Sequence, residues 1–141
     1  RASKFNQGFA TTEYLAASYL DLAWHTREEI VEDANVFEKE ILQNLGLMPE
    51  IASRYRSTYF AHIFAGGYSS GYYSYLWTEV LDADAFELFK EKGLFDAETA
   101  NNLKTLIYSS GNTRDLMDQY RKFRGSDPEI EPLLERRGLV D

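Results

Sequence analysis

Glycines divide this chain into segments whose apolar residues recur at helical spacing. After Thr26 and Glu29, which form the pattern of a capping box, apolar side chains return every three or four positions as far as Gly46. Five of the nine glycines fall where such a segment ends, and no segment of any length alternates apolar and polar residues as a β-strand does. The sequence therefore predicts an all-α fold in which residues 1–141 form a single helical unit.

The ends of the helices are predicted from capping residues and glycines. The predicted starts, in chain order, are Thr11 or Thr12, Thr26, Gly71, Asp96, Thr113 and the pair Asp127-Pro128. The first of these helices continues through LAASYLDLAW. The later ones are predicted to stop at Gly46, Gly93 and Gly125, before Gly111 and near Gly138.

The charge balance narrows the possible functions. Lys and Arg number 15 against 23 Asp and Glu, which gives a net charge of -8 at neutral pH. Nucleic-acid binding depends on basic side chains that neutralise phosphates, so no nucleic-acid partner is expected.

No apolar run approaches the length of about 20 residues that a membrane helix needs, so no membrane is expected either. The absence of cysteine excludes disulfides and thiolate sites and suits the cytoplasm.

Neither a metal site nor a serine nucleophile is predicted within these residues. His25 and His62 are 37 positions apart, and the HExxH pattern of zinc hydrolases is absent. His25 is expected at the end of a helix, either solvated or paired with the helix dipole. Ser69, Ser70 and Ser74 lack the pattern of a nucleophile elbow.

Two groups of carboxylates have a structural interpretation. The acidic residues at 28, 29, 32 and 33 cluster near a predicted helix start, where negative charge is favoured by the helix dipole. Glu79 and Asp82 lie one helical turn apart and can in principle act as acid and base. Exposed carboxylate pairs on helices are common, so neither group is assigned to catalysis.

The aromatic segment, residues 55–77, is the part of the chain that helical packing explains least. It reads YRSTYFAHIFAGGYSSGYYSYLW and contains six tyrosines and three glycines. The glycines at 66, 67 and 71 permit a close approach of the backbone to a ligand and a change of loop conformation. Tyrosine hydroxyls are neutral donors that can stabilise an oxyanion, but the same rings can simply pack. Spacing alone leaves both interpretations open.

Several separated motifs of this chain resemble the thimet oligopeptidase-like zinc metallopeptidases, peptidase family M3. The motifs, in order, are FNQGFATTEYLAASYLDLAWH, YRSTYFAHIF, HIFAGGYSSGYYSYLW, the pair Gly111-Asn112 and YRKFRGSDPEIEPLLERRGL. Together they cover essentially the whole chain, and they resemble most the C-terminal region of the bacterial members that release dipeptides. Bacterial endo-acting members share the loop and remain an alternative.

The resemblance implies a role for particular residues. His62 falls on the family's substrate-binding histidine, and Tyr68 and Tyr75 fall on its two cleft tyrosines, which bind the peptide and stabilise the tetrahedral intermediate. Gly66 and Gly67 lie in the family's flexible glycine-rich loop beside the cleft. The resemblance also implies a zinc cofactor whose ligands, with the HExxH helix, lie outside this chain, so no metal ligand is expected here.

Release of a C-terminal dipeptide requires recognition of a free carboxylate, for which arginine is suited through its paired donors. Arg54 and Arg56 lie just before the loop and are the nearest candidates, although surface ion pairing is the more common role of such arginines.

The sequence begins without methionine, and together with the missing zinc motif this leads us to expect the helical C-terminal part of a zincin-like, neurolysin-like catalytic domain. The expected partners are a peptide substrate and the missing N-terminal part of the same enzyme. We expect the isolated chain to be inactive and to expose docking faces that favour self-association. The alternative is a stand-alone helical module that binds a peptide or a sugar and has no catalytic activity.

Overall fold

The computed structural model describes residues 2–140, and all regular structure in this range is helical, which confirms the predicted all-α class. The helices are α1 (Gln7–Thr26), α2 (Ala34–Asn44), α3 (Ala61–Phe64), α4 (Ser74–Lys92), α5 (Ala97–Asn102), α6 (Leu116–Arg124) and α7 (Glu131–Arg137). Single 3-10 turns cover Ala2–Lys4 and Ser57–Tyr59, and α5 continues as a π-helix over Leu103–Tyr108.

The contacts within the chain define two compact units, one ending at Trp77 and the other beginning at Thr78. Helix α4 therefore starts in the first unit and continues in the second. That the chain is part of one larger catalytic domain stays a prediction.

The first unit is built around aromatic residues supplied by α1, α3 and the segments beside α3. Its buried cluster consists of Ala17, Phe60, Ile63 and Tyr72, with Tyr14, Trp24, Tyr55 and Tyr75 packed against it. The rings of Phe60 and Tyr72 meet edge to face with their centroids 4.9 Å apart. Much of the aromatic segment is thus core as well as candidate site.

The second unit is fixed by a buried polar cluster between α4 and α6. The Asp84 carboxylate, which is 1% exposed, accepts a hydrogen bond of 2.6 Å from the Tyr120 hydroxyl and lies 3.3 Å from the Arg124 guanidinium. Helix α7 is held to α4 by ion pairs, Arg136 with Asp82 at 2.7 Å and Arg137 with Glu79 at 2.6 Å. Glu79 and Asp82, the two carboxylates considered above as an acid–base pair, therefore each form an ion pair with an arginine of α7.

The predicted helix ends were confirmed where a glycine stops a helix. Gly93, Gly125 and Gly138 follow α4, α6 and α7 directly, with φ of 120°, 91° and 69°. These left-handed conformations terminate a helix and are adopted readily only by glycine. The regular structure ends two residues before Gly46 and three before Gly111.

Most of the predicted helix starts were wrong, and for α2 and α6 a different residue makes the capping contact. Asp96 does cap α5, accepting from Thr99 N at 2.7 Å. Asp33 caps α2 instead of Thr26, whose hydroxyl donates to Leu22 O within α1.

Similar corrections apply to the remaining starts. Asp115 rather than Thr113 caps α6, accepting from Asp118 N at 2.8 Å. Helix α1 begins at Gln7, before Thr11 and Thr12. Helices α4 and α7 each begin three or four residues after the predicted positions.

Candidate functional site

The loop between α3 and α4, residues 65–73, is called the tyrosine loop here. It folds back tightly on α3: Gly66 N donates to Ala61 O at 2.7 Å, and Tyr68 N donates to His62 O at 3.1 Å. A Cβ atom at Gly66 would lie 2.9 Å from His62 Cα and O, a separation that real Cβ atoms do not tolerate. Gly67 has φ 80°, which favours glycine. These two glycines let the loop return over His62.

Tyr68 and Tyr75 lie side by side. Tyr68 is on the tyrosine loop and Tyr75 is in the first turn of α4, and their rings are stacked with centroids 5.0 Å apart and planes inclined by 28°. A hydrogen bond with the Tyr68 hydroxyl raises the pKa of Tyr75 to about 12, and burial adds to this shift. The Tyr75 hydroxyl is therefore a neutral donor over the whole physiological range.

His62 lies beside these tyrosines, on the short helix α3. Its half-buried ring is 4.9 Å from the Tyr55 ring, 5.8 Å from Tyr72 and 6.4 Å from Tyr68, centroid to centroid. The structure thus brings together His62, Tyr68 and Tyr75, the three side chains that the family resemblance singled out. Their arrangement places an imidazole and two phenols in one cluster.

Tyr72 connects this group to Arg54. The Tyr72 side chain is 2% exposed and stacks on Tyr14 with centroids 5.4 Å apart. Burial and the hydrogen bond with Tyr14 raise the pKa of Tyr72, and a hydrogen bond with Arg54 opposes this rise. The Arg54 guanidinium lies 5.1 Å from the centre of the Tyr14 ring and 3.3 Å from Glu13. Arg54 is therefore a cation at the edge of the tyrosine cluster.

Arg56 has a different environment from Arg54. Its guanidinium lies 2.7 Å from the buried carboxylate of Glu38, which also accepts from the backbone amide of Ser57 at 2.7 Å and from its hydroxyl at 3.0 Å. Arg56 is therefore the ion-pair partner of a buried carboxylate that also supports the Ser57 turn.

Asp21 is part of the site and was not identified from the sequence. It is fully buried on α1 and accepts hydrogen bonds from the backbone amides of Ser70 and Tyr72, at 3.0 and 2.9 Å. The sequence does contain a signal, because Asp21 lies on the same helical face as the apolar residues Ala17 and Trp24. A carboxylate on an apolar face has to find a polar partner inside the protein.

Other residues considered for chemistry have structural partners. His25, expected to be solvated or paired with the dipole, lies in the last turn of α1 with its Nδ1 2.8 Å from Asp21 Oδ1. The Ser69 hydroxyl donates to Ile63 O at 2.6 Å.

Within residues 2–140, no group of three or more His, Asp and Glu side chains is placed to hold a metal ion. These residues therefore do not fit a zinc site. In the same range, none of the helices combines the length and the apolar character that crossing a bilayer requires.

Comparison with known proteins places the chain in a family. A model of peptidase family M3 matches residues 1–139. The chain is 44% identical over 142 residues to the dipeptidyl carboxypeptidase of Salmonella typhimurium, covering 99% of this chain and 21% of that protein. It is 46% identical to the dipeptidyl carboxypeptidase of Escherichia coli, covering 98% of this chain and 21% of that protein.

A second kind of relative, oligopeptidase A, has a lower sequence identity when it is compared over nearly the whole chain. Oligopeptidase A of Salmonella typhimurium is 32% identical over 140 residues, covering 98% of this chain and 21% of that protein. The chain thus spans about a fifth of the length of the curated relatives it matches. A family match over nearly all its residues, with identities of 44% and 46% to two relatives, shows that the chain belongs to peptidase family M3.

Proposed function

We propose that the full-length protein is a cytoplasmic zinc metallopeptidase that releases C-terminal dipeptides from peptides. In this proposal residues 1–141 are its C-terminal part, supply substrate-binding and oxyanion-stabilising side chains, and are inactive alone. The observation that carries the proposal is the pairing of Tyr68 with Tyr75 beside His62. The dipeptidyl carboxypeptidases among the relatives favour dipeptide release.

The proposed chemistry of this segment is donation of hydrogen bonds to a peptide carbonyl. When the carbonyl carbon becomes tetrahedral, its oxygen gains negative charge, and a donor that is already oriented toward that oxygen stabilises the transition state more than the ground state. Tyr75 is the proposed donor, and Tyr68, whose ring stacks on that of Tyr75 with centroids 5.0 Å apart, is the proposed second donor. His62 is proposed to hold the substrate backbone.

We place the zinc ligands outside residues 1–141, because the described part of the chain does not fit a zinc site. The remainder of the full-length protein would supply the metal, and it is also the proposed docking partner of this segment.

The proposed role of Tyr75 is tested by Tyr75→Phe in the full-length enzyme. Removing one oxyanion donor is expected to lower kcat by about 100- to 1,000-fold with little change in KM. Tyr73→Phe is the matched control, because it removes a hydroxyl from an exposed tyrosine of the same segment. Steady-state kinetics on a short peptide measure both variants. Unchanged turnover in Tyr75→Phe would exclude the oxyanion role.

Arg54 is the proposed contact for the substrate's terminal carboxylate, because Arg56 pairs at 2.7 Å with the buried Glu38, whereas Arg54 pairs at 3.3 Å with the more exposed Glu13. Arg54→Lys keeps the charge but loses the planar paired donors. We expect KM to rise for a peptide with a free C-terminus, by about tenfold for a loss near 1.4 kcal/mol. The same peptide with an amidated C-terminus is the internal control. Equal cleavage of both peptides by the wild type would instead favour an endo-acting peptidase, the activity type of the alternative relatives.

A further inference from the structure

We propose that Asp21 is a positioning residue of this peptidase: from α1 it holds the backbone of the tyrosine loop so that Tyr68 and Tyr75 stay paired. This inference rests on the function proposed above. Asp21 itself is 0% exposed and does not face a substrate, so it acts through the loop.

The two oxygens of the Asp21 carboxylate are divided between two amides of the loop. Oδ1 accepts from Ser70 N at 3.0 Å and Oδ2 accepts from Tyr72 N at 2.9 Å. Ser70 has φ 55°, a left-handed conformation that residues other than glycine seldom adopt. The loop is therefore held in an unfavourable bend at the residue that the carboxylate binds, and the charge-assisted hydrogen bonds offset the cost of that bend.

The anchored amides lie between the two paired tyrosines along the chain. On one side Gly71 N donates to Tyr68 O at 2.8 Å, and on the other Tyr75 N donates to Tyr72 O at 3.3 Å. Both tyrosines are thus connected to the anchored backbone by a single turn. Displacement of residues 70–72 would change the position of one ring relative to the other.

His25 completes the anchor. Its Nδ1 lies 2.8 Å from Asp21 Oδ1 and 2.9 Å from Asp21 O, and because both neighbours are acceptors, Nδ1 carries the proton. The buried carboxylate therefore accepts hydrogen bonds from two loop amides and lies against the N–H of His25. Replacement of one of its two acceptor oxygens would leave a buried loop amide without a partner, which destabilises this particular loop conformation.

The test is Asp21→Asn in the full-length enzyme. Asparagine keeps the shape of aspartate but has one acceptor oxygen, so one of the two loop amides loses its partner. We expect kcat to fall by up to about 100-fold, as misplacement of a catalytic group does, with little change in KM. Asp84→Asn is the matched control, because it makes the same change at a buried carboxylate of the second unit. It is expected to lower thermal stability without a selective loss of kcat.

A double-mutant cycle separates positioning from general destabilisation. If Asp21 acts through Tyr75, Asp21→Asn costs much less in a Tyr75→Phe background than in the wild type. Equal losses in both backgrounds, or an unchanged kcat in the single variant, would overturn the proposal.

Hydrogen exchange gives a readout that does not depend on activity. We expect the amides of residues 68–72 to exchange faster in Asp21→Asn than in the wild type and to be unaffected by Asp84→Asn. Equal exchange rates of these amides in Asp21→Asn and in the wild type would overturn the proposal that Asp21 anchors the loop. If the wild-type enzyme cleaves no peptide, the proposed function and the catalytic consequence of the anchor both fail, and exchange alone decides whether Asp21 holds the loop.

Discussion

Tyr75 shows how the environment of a single residue sets its chemistry. An isolated tyrosine hydroxyl ionises near pH 10. Here the hydrogen bond with Tyr68 favours the protonated form and raises the pKa of Tyr75 to about 12. A residue proposed to donate to an oxyanion must keep its proton, and the raised pKa extends the range in which Tyr75 does so.

This pKa shift predicts how the tyrosines titrate. Because the folded-state pKa is raised above the unfolded value, the associated stability is present below about pH 10 and is lost as the pH rises through about 12. Tyr68→Phe removes the hydrogen bond, so we expect Tyr75 to ionise closer to pH 10. Titration of the tyrosinate absorbance measures this, with Tyr73→Phe as a control that also removes one phenol. Identical titration curves for the two variants would contradict the predicted shift.

At the level of secondary structure, single polar side chains decide where helices begin. Asp33, Asp96 and Asp115 each accept a backbone amide in the first turn of the helix that follows. Of these three, the sequence predicted only Asp96. The caps at Thr26 and Thr113 were plausible, because threonine is also a common capping residue. Both threonine hydroxyls instead donate to a carbonyl of the preceding turn or helix.

The cap of α6 gives a matched pair of variants. Asp115→Ala should lower the free energy of unfolding by about 1 kcal/mol, because Asp118 N then loses its acceptor. Thr113→Ala, at the residue that the sequence favoured, should have a smaller effect, since its exposed hydroxyl bonds only within the preceding turn. Chemical denaturation of the chain compares the two. A larger loss for Thr113→Ala would contradict the assignment of the cap.

At the scale of the whole molecule, the exposed apolar side chains support the proposal that this chain is part of a larger enzyme. The chain also matches only a part of its longer relatives, which supports the same conclusion. An open groove of about 520 Å³ in the first unit is lined largely by apolar residues, among them Phe9, Leu15 and Tyr19. Tyr19 is 53% exposed and Met48, in the same groove, is 56% exposed. Apolar surface gathered in this way is typical of an interaction face. We propose that the remainder of the full-length protein covers it, and that the isolated chain associates with itself.

The proposed division of the metal site from the tyrosines concerns the whole protein. If the zinc ligands lie outside residues 1–141, we expect the isolated chain to bind no stoichiometric zinc, whereas the full-length enzyme carries zinc and loses activity when a chelator removes it. Elemental analysis of both proteins after gel filtration measures this. One equivalent of tightly bound zinc on the 141-residue chain would refute the proposed division.

The sequence by itself determined the helical class, the glycine stops and the identity of the paired tyrosines. Helical periodicity and glycine termination are local properties, since they depend on residues within one or two turns of one another. The resemblance to family M3 pointed to His62, Tyr68 and Tyr75 through short continuous motifs. These features are readable because neighbouring residues in the chain carry them.

Only the tertiary structure decided what holds the tyrosines together. The Asp21 carboxylate and the amide of Tyr72 are 51 residues apart in sequence and 2.9 Å apart in space. The proposal of Arg54 rather than Arg56 as the carboxylate contact likewise depends on the buried carboxylate of Glu38, 18 residues before Arg56. Which polar groups share a buried site depends on how the helices pack, and no local pattern specifies that packing.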